Sequence, residues 1–134
     1  MIGVLIVTHG DIGTSLLASA SQILGATPQQ VSTLSVWRQD DPDDLVLRAR
    51  ELMQQIDAGD GVLILTDIFG ATPGNVVSKL LQDGRVEGVS GVSLPMLLRV
   101  LTGRDGSVPA GVQRALSGGS EGLVHMNTDR CCDA

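Results

Sequence analysis

Short runs of continuous apolar residues alternate along this chain with segments whose apolar residues recur at helical spacing. Residues 2–8 form an unbroken β-branched apolar run and predict a first strand. The segment 14–24 then carries Leu16, Leu17, Ala20, Ile23 and Leu24 on one helical face and stops at Gly25. Residues 31–36 predict a second strand. Asp41 follows as an N-cap with Pro42 at the first helical position and Asp43 and Asp44 in the positively polarised first turn. Leu45, Ala49, Leu52, Met53 and Ile56 make the buried stripe of that helix, and Gly59 closes it. A third strand at 62–66 leads to Thr72-Pro73, a second cap-then-proline signal. The helix it opens should bury Val76, Val77, Leu80 and Leu81. Asp83-Gly84 turns the chain into a strand at 86–92. Helices are expected at 96–102 and 108–116, the latter ended by Gly118-Gly119, and a short last strand at 121–126.

Short βα units in this order imply an α/β, doubly wound and mostly parallel sheet of order 2-1-3-4. No repeat or linker divides the 134 residues, which reads as one domain. The apolar content is aliphatic, with Trp37 and Phe69 as the only aromatics, and the net charge is −6. Nucleic acid is therefore not an expected partner, since backbone binding requires clustered cations and single strands require stacking rings. The N-terminal run is too short for a membrane span and lacks a basic leader, so a cytoplasmic location is expected. Cys131 and Cys132 are adjacent, and neighbouring cysteines rarely bridge one another; they read as reduced thiols.

The chemistry lies where the strands end. The first strand stops at Thr8-His9-Gly10, and the third stops at Thr66-Asp67. In a sheet of order 2-1-3-4 those strands are neighbours whose helices lie on opposite faces, which opens a crevice at their carboxyl ends. A carboxylate bonded to one nitrogen of an imidazole fixes the tautomer and leaves the other nitrogen as a nucleophile. Gly10, Gly13 and Gly70 permit close backbone approach, and the helix start at Thr72-Pro73 offers amides to an anion. Histidine, carboxylate and amide cradle together suit covalent phosphorylation of the histidine. Plainer readings stand beside this one. His9 could be a hydrogen-bonded structural residue, Asp67 could only accept loop amides, and the glycines could only allow tight turns. Asp11 with His9 and Asp67 would make a poor metal site, and no metal or cofactor is expected.

At these residues the sequence resembles the IIA domain of the mannose family of the bacterial phosphoenolpyruvate-dependent sugar phosphotransferase system. The resemblance rests on Thr8-His9-Gly10, on the segment from Asp67 through Phe69, Gly70, Ala71, Thr72 and Pro73 to Asn75, and on Gly91 to Leu97. It spans nearly the whole chain. It implies that His9 accepts a phosphoryl group from the phosphocarrier protein HPr and that Asp67 orients it; on the reading of the residues above, Gly10, Gly70, Ala71 and Thr72 would hold the phosphate. It also implies a homodimer that exchanges its last strand, here 121–126, and onward transfer to a IIB-type acceptor in sugar uptake. Membrane contact would then be indirect, through transporter components. Family members often have tryptophan at the position of Phe69 and Gly-Ser at that of Ala71-Thr72; phenylalanine and threonine keep an aromatic wall and a hydroxyl. With no attached IIB domain in view, the alternative is a stand-alone regulatory protein whose phosphorylation controls partner binding. A small-molecule binder or hydrolase using the same crevice is the remaining class. Apolar residues near Pro95, Met96 and Leu97 read as a docking rim if exposed; Met96 and Leu97 read equally as core.

Overall fold

In the computed structural model, which describes residues 1–127, four strands alternate with helices and a fifth helix follows the fourth directly. The strands are β1 (Gly3–His9), β2 (Val31–Val36), β3 (Val62–Thr66) and β4 (Val86–Ser90). They form one all-parallel sheet in the order β2-β1-β3-β4. The helices are α1 (Ile12–Leu24), α2 (Pro42–Ile56), α3 (Thr72–Ser78), α4 (Leu94–Leu101) and α5 (Val108–Glu121). The expected class and strand order are those observed. Cys131 and Cys132 lie outside the described residues.

Both faces of the sheet are covered, which is why β1 and β3 read as continuous apolar runs and not as alternating ones. Successive side chains of a strand point to opposite faces, so β1 feeds two cores. Leu5 and Val7 pack with Leu45, Ala49 and Ile56 of α2 and with Val76 and Val77 of α3. Val4 and Ile6 pack with Ala20 of α1, Met96, Leu97 and Val100 of α4, and Val108 and Ala115 of α5. Each fully buried Leu, Ile or Val in these layers contributes about 1.5–3 kcal/mol, so the strand ends that carry the candidate chemistry rest on a rigid base. Among the described residues no helix is long and apolar enough to cross a membrane.

Several expectations are corrected. Ile23 and Leu24 of α1 are exposed, as is Leu81, because α1 turns only its Leu16, Leu17 and Ala20 stripe to the sheet and α3 ends before residue 81. Strand β4 stops at Ser90, and α4 starts at Leu94, where the Ser93 hydroxyl caps it by accepting from the Met96 N–H. Met96 and Leu97 are buried, so the core reading holds for those two residues, while Pro95 beside them is exposed.

Gly118 and Gly119 do not end α5, which runs on to Glu121. Gly118 lies on the same buried stripe as Val108, Gly111 and Ala115. A Cβ there would come within 3.2 Å of the Met96 Cα and 3.0 Å of the Arg99 Cβ, so its lack of a side chain lets α5 lie directly on α4. The expected last strand at 121–126 is also not seen. Glu121 belongs to α5, and Leu123, Val124 and Met126 follow in irregular, exposed chain. Within the described residues this segment pairs with neither edge strand of the sheet, β2 or β4.

A buried cation went unnoticed in the sequence. Arg104, after α4, is almost fully buried, and its Nη1 donates to the Gln29 carbonyl at 2.6 Å and the Ile2 carbonyl at 3.4 Å. Desolvation lowers its pKa. It ties together the start of β1, the loop before β2 and the segment after α4, at the end of the sheet opposite His9.

Candidate functional site

His9 is the last residue of β1, and Asp67 directly follows β3. The register of the parallel pair, with Val7 opposite Thr66, sets Asp67 level with Thr8, one residue before His9, so its side chain has only to reach forward by one position. Asp67 Oδ2 accepts from the His9 backbone N–H at 3.1 Å and lies 2.8 Å from His9 Nδ1. The second carboxylate oxygen, Oδ1, accepts from the Ile68 N–H at 3.0 Å. The carboxylate is thus held from both sides before it meets the ring. Burial pushes the Asp67 pKa up, but the hydrogen bonds from the His9 ring and backbone, the His9 charge and the Ile68 amide together carry it below the ordinary carboxylate value. An ionised Asp67 can only accept, so the proton of a neutral imidazole sits on Nδ1 and the lone pair on Nε2. Asp67 is mostly buried at 13 % exposure whereas the His9 side chain is 49 % exposed, and Nε2 makes no hydrogen bond to the described residues.

The turn after His9 is fixed by Gly10, at φ +50°, whose N–H donates to the Val36 carbonyl of β2 at 2.9 Å. Gly13 does not face the crevice. It packs against Ile6 and Thr8, and its N–H donates to the buried Thr8 hydroxyl at 2.8 Å. That bond does the capping that Asp11, the residue before α1, leaves undone. Asp11 lines a separate cavity over α1 with Ile12, Ser15 and Leu94. No group of three His, Cys, Asp or Glu among the described residues is arranged to hold a metal ion.

Gly70, at φ +86°, turns the chain from β3 into α3. Ala71, and not Thr72, is the N-cap of α3; it gives no side-chain cap, and Thr72 is the first helical residue with Pro73 beside it. The Thr72 side chain is thereby free of capping and lines a cavity of about 340 Å³ with His9. The other walls of this cavity are Val36, Trp37, Arg38, Asp40 and Pro42, from the end of β2 and the start of α2. The structure thus brings His9, Asp67, Gly10 and Thr72 to one place and adds a flank that the sequence did not suggest. The aromatic wall beside His9 is Trp37, whose ring lies 3.3 Å from where a Gly10 Cβ would stand. Phe69, which is 84 % exposed, instead lines a smaller cavity beside β4 with Val77, Leu81 and Gly88. The clue in the sequence was the strand order itself: β2 also borders β1, so residues 37 and 38 had to emerge next to His9.

Chemically, the arrangement offers a positioned, half-exposed imidazole with a free Nε2, a carboxylate behind it and a polar cavity in front. The family described as "PTS system fructose IIA component" matches residues 3–113. The chain is 32% identical over 106 residues to a PTS system fructose-specific EIIA component of Bacillus subtilis, covering 78% of this chain and 72% of that protein. It is 30% identical over 105 residues to a PTS system mannose-specific EIIAB component of Escherichia coli, covering 78% of this chain; the match spans only 32% of that longer relative. Among solved structures, a phosphotransferase system component EIIA from Streptococcus agalactiae superposes with a TM-score of 0.85. The two are 27% identical, and the superposition covers 96% of this chain and 100% of that one.

Proposed function

The chain belongs to the mannose-type IIA family of the sugar phosphotransferase system, and on that premise we propose that it is a phosphohistidine carrier working through His9. In this reading the whole chain is one IIA domain. HPr, carrying a phosphohistidine whose other ring nitrogen is protonated, docks over the carboxyl end of the sheet. His9 Nε2 attacks phosphorus, the P–N bond of the donor breaks, and its electron pair returns to the donor imidazole, which leaves neutral. No proton need move: His9 becomes a phosphoimidazolium that keeps its Nδ1–H on Asp67, and the carboxylate stabilises the new ring charge. The backbone at Gly70 and Ala71 and the Thr72 hydroxyl take the phosphoryl oxygens, while Gly10, whose N–H is engaged by Val36, shapes the turn that presents His9. The exposed apolar residues Ile12, Trp37, Ile68 and Phe69, all at this end of the sheet, suit the docking of a protein donor.

The observation that carries the proposal is the 2.8 Å contact of Asp67 Oδ2 with Nδ1, which leaves Nε2 as the open nitrogen. The onward acceptor is a IIB-type domain, and the name of the E. coli EIIAB relative supports that step. The exposed apolar Leu123, Val124 and Met126 suit a homodimer in which this segment pairs with the sheet of a second copy; a monomeric mass in solution would refute that element alone. The decisive test is incubation with phosphoenolpyruvate, enzyme I and HPr in the cytoplasmic pH range. Acid-labile label on the wild-type chain and none on His9→Ala is expected; equal label on both would sink the proposal. A IIB-type domain added afterwards should drain the label.

A further inference from the structure

We propose that Arg38 is a phosphoryl-binding residue that stabilises the phosphorylated form of His9; the inference rests on the carrier reading above and extends it to a residue outside the strand-end motifs. In the strand order β2-β1-β3-β4, β1 has two neighbours, so His9 has two flanks. The β3 flank supplies Asp67. On the β2 flank His9 is paired with Val36, and the chain continues through Trp37 to Arg38. His9, Arg38 and Thr72 line the same cavity of about 340 Å³, and Arg38 is the one Lys or Arg among its described lining residues.

The backbone that presents Arg38 is fixed. The Trp37 N–H donates to Asp40 Oδ2 at 2.8 Å, and the Asp40 N–H returns to the Trp37 carbonyl at 3.0 Å, which closes a tight turn around Arg38. The Trp37 ring rests against Gly10. Asp40, the acid in the same cavity, is thus engaged by the turn. Arg38 makes no hydrogen bond or ion pair with the described residues. Arg38 is exposed at the cavity it shares with His9, and its guanidinium has no structural partner among the described residues.

Charge explains why such a group is needed. The chain carries a net charge of −6, and the acceptor nitrogen shares its ring with a contact to the Asp67 carboxylate. A phosphoryl group placed on Nε2 adds further negative charge next to Asp67 and Asp40. A guanidinium on the open side offsets it and matches phosphoryl oxygens in a bidentate fork, which backbone amides and one hydroxyl cannot do. Asp67 would then stabilise the charge of the ring and Arg38 that of the group it carries.

Donor docking and phosphoryl binding are separated by an equilibrium measurement. The equilibrium constant for phosphoryl exchange between free HPr and the free chain depends on the stability of the phosphorylated forms and not on how the two proteins dock. Arg38→Ala should shift this constant about three- to tenfold toward phosphorylated HPr, the size expected for losing one partly exposed charge-assisted contact. Arg38→Lys should recover part of the shift, and circular dichroism should be unchanged in both. A wild-type exchange constant in Arg38→Ala would overturn the inference while leaving the carrier reading intact, even if labelling became slower. Failure of wild-type chain to take label, or labelling of His9→Ala, would instead refute the reading beneath it.

Discussion

One carboxylate oxygen, Asp67 Oδ2, meets His9 twice, accepting from its backbone N–H at 3.1 Å and contacting its ring Nδ1 at 2.8 Å. The backbone bond sets the distance between the two strand ends, and the ring bond sets the tautomer. Asp67→Asn keeps the size of the side chain but removes its charge and offers either an oxygen or an NH2 to the ring. Loss of a hydrogen bond to a charged group costs about 1.5–3 kcal/mol, so phosphorylation of His9 should slow roughly ten- to a hundredfold. Rates of label uptake at limiting HPr check this. An Asp67→Asn chain labelled at the wild-type rate would mean that the carboxylate does not orient the ring.

Trp37 is the single tryptophan of the chain and lines the cavity that contains His9. Its fluorescence should therefore change when His9 is phosphorylated and recover on dephosphorylation. The same treatment should leave the emission of His9→Ala unaltered. A constant signal during full labelling would place the phosphoryl group away from this cavity.

Gly10 joins the two flanks of the site. Its φ of +50° is costly for a residue with a Cβ, and that atom would stand 3.3 Å from the Trp37 ring. Gly10→Ala should lower stability by about 1 kcal/mol and shift Trp37 emission in the unphosphorylated protein. Denaturant titration followed at Trp37 reads both; unchanged stability and emission would contradict the packing described.

Acid stability should depend on the carboxylates held by the fold. Asp57 is lowered first by the Gly59 N–H, against desolvation, then by the Gly61 N–H and Arg85; Asp67 is also lowered. A carboxylate with a depressed folded pKa contributes stability that is fully present above its unfolded value. That stability is lost as pH falls through the folded value. The loss should thus begin near 3.8, the ordinary aspartate value, and grow below it. Asp57→Asn should show a shallower decline than wild type as pH falls below that value, by urea unfolding at each pH. Parallel declines would remove Asp57 from the account.

The frame of the site was legible because burial on both faces writes β1 and β3 as apolar runs that stop at His9 and Asp67. Glycine and threonine were harder to read. Gly118 looked like a helix stop because only the packed structure shows that Met96 needs its missing side chain. Thr72 looked like a cap, but Ala71 takes that position and leaves the hydroxyl to the cavity. Trp37 and Arg38 follow β2 in a polar stretch with no periodicity to mark it. Their place beside His9 follows from strand order and the turn closed by Asp40, neither of which is a local property of those residues.

The central claim is that Asp67 holds Nδ1 and thereby directs the phosphoryl group to Nε2 of His9. Nitrogen-15 and phosphorus-31 NMR of the phosphorylated chain, labelled at the imidazole nitrogens of His9 and His125, tests it most directly. A phosphorus–nitrogen coupling to Nε2 of His9, with Nδ1 still protonated, is the predicted result. Coupling to Nδ1 of His9, or to either nitrogen of His125, would contradict it.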